Sequence, residues 1–220
     1  MLKAILWDND GVLVDTEHLY MMATRETLAT RGIAIDEAQY LELFLQQSRG
    51  ILHFAHEHGW SEEELERVRR DRSVRYSALL REQSRVIDGV EEVLATLHGR
   101  YVMGIVTSSQ REHFDIIHAA SGLLKYFEFV VAAGDYRHPK PHPEPYLKAV
   151  ERAGVAKDAC IVVEDSERGL AAATEAGLRC IIVPSRLTVG RPFTGAYKVL
   201  GDIRDILALL ETASVEPPDQ

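Results

Sequence analysis

The apolar run Leu2-Lys3-Ala4-Ile5-Leu6-Trp7 passes directly into Asp8-Asn9-Asp10-Gly11, and no other segment constrains this chain as much. A short apolar stretch closed by a turn signal reads as a buried strand, and this one ends on two carboxylates. Side chains alternate along a strand, so Asp8 and Asp10 project to one side if the chain stays extended across its end. Gly11 then lets the chain turn away. Two converging carboxylates repel unless a cation or a shared proton relieves them. That arrangement favours a hard cation such as magnesium, which takes oxygen ligands and keeps waters that a phosphate can replace. A calcium loop is the first rival, because Asp8-x-Asp10-Gly11 with Glu17 matches the latter part of the EF-hand pattern. Its first acidic position falls on Leu6, however, and the preceding segment is strand-like rather than helical. A plain Asp/Gly turn is the other alternative, and the rest of the chain decides between them.

The 220 residues allow one large domain or two unequal ones. With 46% hydrophobic and 27% charged residues, the composition is that of a globular protein with material for a core. A formal charge of −9 argues against non-specific nucleic-acid binding. No membrane-spanning run and no signal-peptide pattern is evident. Cys160 and Cys180 sit in apolar, strand-like stretches and read as reduced core residues of a cytoplasmic protein. The tail VEPPDQ reads as frayed.

Residues 17 to 84 contain no convincing strand and read as amphipathic helices. Leu19, Met22, Ala23, Leu28 and Ala29 recur at helical spacing before Gly32, Leu41 to Leu45 form a second run that weakens at Ser48-Arg49-Gly50, and Ser61 with Glu64 opens a charged helix. Beyond residue 86 helices and strands alternate: VEEVLATLHG, YVMGIV, REHFDIIHAA, FEFVVAA, EPYLKAVERAG, ACIVVE, RGLAAATEAG, RCIIVP, AYKVL and DIRDILALL. This order predicts an α/β fold, a Rossmann-like parallel sheet with helices on both faces. It assigns residues 1–14 and 86–220 to the core and 15–85 to an inserted α-helical cap.

Ligands of open parallel sheets gather outside the carboxyl ends of the strands. YVMGIV ends there in Thr107-Ser108-Ser109, which offers hydroxyls and amides to an anion, with Ser109 alternatively a helix cap. ACIVV ends in Glu164-Asp165-Ser166, more acid than a cap requires. Lys140 lies in the proline-stiffened loop HPKPHPEPY, alternatively a rigid surface turn.

Taken in order, Asp8-Asn9-Asp10-Gly11-Val12, Thr107, Lys140-Pro141 with Pro143, and Glu164-Asp165-Ser166 resemble the four motifs of the haloacid dehalogenase superfamily. The nearest likeness is to its beta-phosphoglucomutase-like branch with a helical cap, over nearly the whole chain. Asn9 stands where an apolar residue is usual, a departure without chemical effect if its side chain points away from the site. The resemblance implies that Asp8 attacks phosphorus to form an aspartyl-phosphate and that Asp10 protonates the leaving oxygen and then deprotonates water. It implies Mg²⁺ held by Asp8, the Asp10 carbonyl and Asp165, with Glu164 as a ligand or just behind one. Thr107, the Ser108 amide, Lys140 and Gly11 make up the phosphate-binding set, joined by Arg49 of the cap.

Asp10 excludes a dehalogenase, and a cap without lysine argues against a phosphonate hydrolase. The mutases carry a histidine where this chain has Tyr20, with His18 two positions early. The resemblance therefore implies a cytoplasmic, Mg²⁺-dependent phosphatase, a monomer acting on a small phosphate ester such as a sugar phosphate, with cap closure excluding water. A phosphomutase is the alternative, and a silent binding protein the third class. Among weaker signals, Arg72, Glu17 and His18 are candidates to face the site. His53, His56 and His58 suggest zinc but lack a fourth ligand, and RVRRDRSVRY reads as a solvated helix face with i,i+4 pairing.

Overall fold

The computed structural model describes residues 1–47 and 49–213. The chain divides into two compact units, one of residues 1–15 and 85–220 and one of residues 16–84. Ser48 and the VEPPDQ tail fall outside the described residues.

The first unit is built on a six-stranded sheet of β1 (Ala4–Trp7), β2 (Val102–Gln110), β3 (Phe129–Ala133), β4 (Cys160–Glu164), β5 (Arg179–Ile182) and β6 (Lys198–Val199). Its order is β3-β2-β1-β4-β5-β6 and every pairing is parallel. Parallel strands need crossovers, supplied here by α5 (Val90–Leu97), α6 (Arg111–His118), α7 (Glu144–Ala153) and α8 (Glu167–Glu175), while α9 (Asp205–Ala213) follows the last strand. Helices on the sheet faces explain why β1 is fully buried and reads as an unbroken apolar run. Leu6, Val106, Val131, Val162 and Ile182, one from each of five strands, pack in one cluster with Tyr146 and Ala149 of α7 and Leu170 and Ala173 of α8.

The strand order reverses beside β1, and register then decides what meets at that point. Trp7 pairs with Ile105 on one side and Val163 on the other, so Asp8 emerges between Val106 and Glu164. The Asp8 N–H extends the ladder by one bond, to the Val163 carbonyl at 2.9 Å. On β2 the register shifts between Val106 and Gln110, a bulge that frees Thr107, Ser108 and Ser109 from regular pairing with β3. The segments leading out of and back into this unit run side by side, with Val14 bridging Val86 and the Asp15 N–H bonded to the Arg85 carbonyl.

The 16–84 unit is helical: α1 (Glu17–Ala29), α2 (Glu37–Tyr40), a π-helical stretch Leu41–Gln46, α3 (Gly50–Glu57) and α4 (Glu62–Gln83). α1 packs along α4, with Tyr20 edge-on to Tyr76 at 5.1 Å. The buried face of α1 carries Leu19, Met21, Ala23, Thr24, Thr27 and Leu28; Ala29 is exposed and Met22 only half-buried. The apolar pattern missed the two threonines, whose methyl groups serve as core. Ser61 accepts the Glu64 N–H at the start of α4, but the complete reciprocal cap in this unit is Asp36 with Gln39. On α4 Arg67 pairs with Glu63 at the expected i,i+4 spacing and Arg69 with Glu66 at i,i+3, while Arg75 reaches Glu26 of α1 and Arg31 of the loop after α1 reaches Asp71. Among the described residues no helix is long and apolar enough to cross a membrane.

Candidate active site

Four segments of the first unit meet at the carboxyl end of its sheet. From β1 comes Asp8, from β4 Glu164 and Asp165, from the bulge of β2 Thr107 and Ser109, and from the loop before α7 Lys140. Lys140 is the hub, with a side chain only 3% exposed. Its ammonium donates to Asp8 Oδ1 at 2.6 Å, Glu164 Oε1 at 2.7 Å and the Val106 carbonyl at 2.8 Å, which uses all three of its protons. The loop that presents it is shaped by Glu144, whose carboxylate accepts the N–H groups of Arg137 and His138.

Glu164 is saturated. Oε1 also accepts the Tyr146 hydroxyl at 2.8 Å, and Oε2 accepts the Asp165 N–H at 3.1 Å, the Ser166 N–H at 3.4 Å and the Ser166 hydroxyl at 3.1 Å. The sequence places Glu164 as a metal ligand or just behind one, and here its two oxygens accept from Lys140, Tyr146, Asp165 and Ser166 while standing beside Asp8 and Asp165. Gly169 makes room for it, since a Cβ there would lie 1.8 Å from the Glu164 carboxyl carbon.

Asp10 is held from the other side. Its Oδ2 accepts the Thr107 hydroxyl at 3.1 Å, the Ser109 hydroxyl at 2.8 Å and the Asn9 amide at 3.2 Å. Ser109 is therefore not a helix cap; the cap position of α6 is Gln110. Nor does Asn9 point away from the site. It is fully buried, donates to Asp10, and its Oδ1 lies 2.8 Å from His118 Nε2. Tyr136 fixes the bulge by donating to the Thr107 carbonyl at 2.9 Å.

Charge is unbalanced in this pocket. Asp8, Glu164 and Asp165 are all buried, and Lys140 is the cation among them. Burial, then the nearby Glu164 and Asp10, push the Asp8 carboxyl up to about 8 even though Lys140 opposes this. Burial works against the charge on Lys140, but Asp8 and Glu164 outweigh it and hold the ammonium above its usual value. Burial would also raise Glu164, yet Lys140 and its hydrogen bonds bring it below its usual value. Ligand atoms of Asp8, Glu164 and Asp165 lie within 4.8 Å of one another. An all-oxygen set with excess negative charge fits a hard divalent cation. Gly11 at φ +86° supports that fit, because a Cβ there would come 2.2 Å from Asp165 Oδ2 and displace it.

Arg49, Arg72, Glu17 and His18 lie in the other unit. Arg49 is exposed beside the start of α3, Arg72 lies over the Tyr20 ring at 4.7 Å, and Glu17 accepts the Tyr40 hydroxyl at 2.7 Å. Among the described residues His53, His56 and His58 do not converge on a metal-ligating group: His53 pairs with Glu57 and His58 stacks on Trp60. A second convergent group, His138, His142 and Glu144, flanks Lys140 on its loop and was not singled out by the sequence reading. Reasoning from strand ends also missed Tyr146 and His118, which lie inside helices and carry no motif signal.

A buried lysine is thus clamped between the carboxylates of two parallel strands, beside a second aspartate held by a threonine of the β2 bulge. The family model described as haloacid dehalogenase-like hydrolase matches residues 5–183, and the chain belongs to that family. It is 31% identical to a phosphorylated carbohydrates phosphatase of Thermotoga maritima, over 97% of this chain and 93% of that protein. It is 29% identical to the fructose-1-phosphate phosphatase YqaB of Escherichia coli, over 81% and 95%. Among solved structures, a putative beta-phosphoglucomutase from Thermotoga maritima superposes with a TM-score of 0.74 at 27% identity, covering 96% of this chain and 99% of that one.

Proposed function

We propose that this chain is a magnesium-dependent phosphatase of the cytoplasm that hydrolyses a small phosphorylated metabolite, a sugar phosphate or similar monoester, through an aspartyl-phosphate on Asp8. The observation that carries this reading is the Lys140 ammonium bridging Asp8 Oδ1 and Glu164 Oε1, with Asp10 held beside them by Thr107. Two named phosphatase relatives support it. Two buried free cysteines suit a reducing compartment.

Asp8, Asp165 and the Asp10 carbonyl would hold the magnesium ion, which when bound neutralises the excess carboxylate charge and screens the phosphoryl oxygens. Lys140 fixes Asp8 through Oδ1, which leaves Oδ2 as the attacking oxygen. Attack forms the Asp8 O–P bond and breaks the ester P–O bond, while Asp10 gives its proton to the departing alkoxide. Asp10 then takes a proton from water as the water attacks phosphorus, releasing inorganic phosphate and restoring Asp8. The positive charge of Lys140, the Ser108 amide and the Thr107 hydroxyl, once it turns from Asp10, stabilise charge on the phosphoryl oxygens, and losing one such interaction costs about 3 kcal/mol in barrier.

The second reading, a phosphomutase, is favoured by the putative beta-phosphoglucomutase among the structural relatives. Tyr20, packed against Tyr76 and under Arg72, supplies no imidazole where mutases carry one. A panel of phosphate esters assayed with and without Mg²⁺ tests both readings. Release of inorganic phosphate that needs Mg²⁺ and is lost in Asp8→Asn supports the phosphatase. Isomer formation dependent on a bisphosphate primer replaces it with the mutase, and no turnover of any ester refutes both.

A further inference from the structure

A directed chain of hydrogen bonds runs through the buried layer behind Asp10. The Asn9 amide NH₂ donates to Asp10 Oδ2 at 3.2 Å, which turns the Asn9 carbonyl toward His118 Nε2 at 2.8 Å. A carbonyl only accepts, so His118 carries its proton on Nε2. Its Nδ1 must therefore accept from the Ser121 hydroxyl, 2.8 Å away. The Ser121 oxygen in turn accepts the backbone N–H of Leu123 at 3.2 Å. Every donor in this series points toward Asp10. Asn9 is fully buried and His118 is 6% exposed, on α6, with Phe114 against its ring. Burial, opposed by Asp10 and Asp115, brings His118 down to about 4, so the imidazole is neutral at working pH.

We infer that His118 and Asn9 are positioning residues for Asp10, fixing its Oδ2 as a permanent acceptor so that Oδ1 is the oxygen that passes the proton. The Thr107 and Ser109 hydroxyls can turn and accept a hydrogen bond, but the Asn9 amide can only donate while His118 holds its carbonyl. Without His118 the amide is free to flip, and either oxygen of Asp10 can then carry the proton. This role rests on the proposed use of Asp10 as acid and base.

The test uses kcat/KM, which reports the steps through the first phosphoryl transfer, on two substrates. A sugar phosphate has a poor leaving group that needs a proton, whereas 4-nitrophenyl phosphate has a good one that does not. Asp10→Asn sets the benchmark, with a loss concentrated on the sugar phosphate. His118→Phe and Asn9→Leu are expected to lose about tenfold or more on the sugar phosphate beyond any loss on the aryl ester. His118→Gln, whose amide can still donate to Asn9, is expected to stay within about threefold of the native ratio. Equal losses on both substrates in folded His118→Phe and Asn9→Leu, with Asp10→Asn still selective, overturn the positioning role and leave the phosphatase reading intact. If Asp10→Asn is itself unselective, the role of Asp10 fails and the inference falls with it. Should His118→Phe not fold, the Asn9→Leu and His118→Gln ratios decide by the same criteria.

Discussion

Replacing Lys140 with methionine removes one buried ammonium of similar shape and leaves Asp8 and Glu164 facing each other without their shared cation. Lys140 makes three bonds of 2.6, 2.7 and 2.8 Å, and the side chains of Asp8 and Glu164 are 11% and 1% exposed. Breaking a buried pair by deleting one partner costs about 3–5 kcal/mol, and here one deletion orphans two carboxylates, which puts the loss in the upper part of that range. Against a total stability of about 5–15 kcal/mol, such a protein is folded but marginal. The loss depends on conditions in a way that simple packing damage would not. At about pH 5 Asp8 carries its proton and part of the penalty is absent, whereas the penalty grows as pH rises past about 8 and is larger at about pH 8.5. Excess Mg²⁺ supplies countercharge and restores stability but not catalysis, which stays down by about a hundredfold or more because Asp8 is no longer held by Oδ1 and the positive charge beside the phosphoryl oxygens is gone. Urea unfolding of both proteins at the two pH values, with chelator and with Mg²⁺, measures this directly. A loss below about 1 kcal/mol, or one indifferent to pH and Mg²⁺, refutes the reasoning, because a solvated surface lysine behaves that way.

Two further predictions concern the same charges. Gly169→Ala puts a methyl group where the Glu164 carboxylate lies, 1.8 Å from its carbon; its unfolding free energy should fall by about 3 kcal/mol and kcat should fall with it, while retention of both contradicts the packing. The native chain freed of divalent ions should lose stability as pH rises above neutrality. Asp8, pushed up to about 8, contributes stability that is complete below its unfolded value and vanishes as pH approaches 8. His118, pushed down to about 4 from 6.5, contributes stability that is complete above 6.5 and vanishes as pH falls. The two oppose each other at acid pH, leaving a net loss of about 2 kcal/mol between pH 6.5 and 8. Urea midpoints across that window with chelator should fall, Mg²⁺ should flatten them, and a flat metal-free profile contradicts the assignment.

Much of the parallel sheet was legible because crossover connections force strands and helices to alternate, and each of β1 to β5 announces itself as an apolar run, whereas the two-residue, exposed β6 does not. The site was legible for the same reason: Asp8 and Glu164 stand at strand ends, Thr107 follows the apolar part of β2, and these places converge. Local pattern carries no register, however. That Glu164 serves Lys140 follows from Tyr146, Ser166 and Gly169 filling its surroundings, and none of these is adjacent to it on the strand. Ser109 resembled a helix cap because a bulge cannot be read from one strand alone. Asn9 looked incidental because its partner, His118, lies 109 residues away.

The central claim is that Asp8 itself becomes phosphorylated. Rapid acid quenching of Asp10→Asn protein during turnover of 4-nitrophenyl phosphate, whose leaving group needs no proton, followed by mass spectrometry of the peptide bearing Asp8, tests it most directly. A phosphoryl group on Asp8 that requires Mg²⁺ and is absent from an Asp8→Asn control is the predicted result. Release of inorganic phosphate with the Asp8 peptide never modified would mean that water attacks the substrate directly, and would contradict the account.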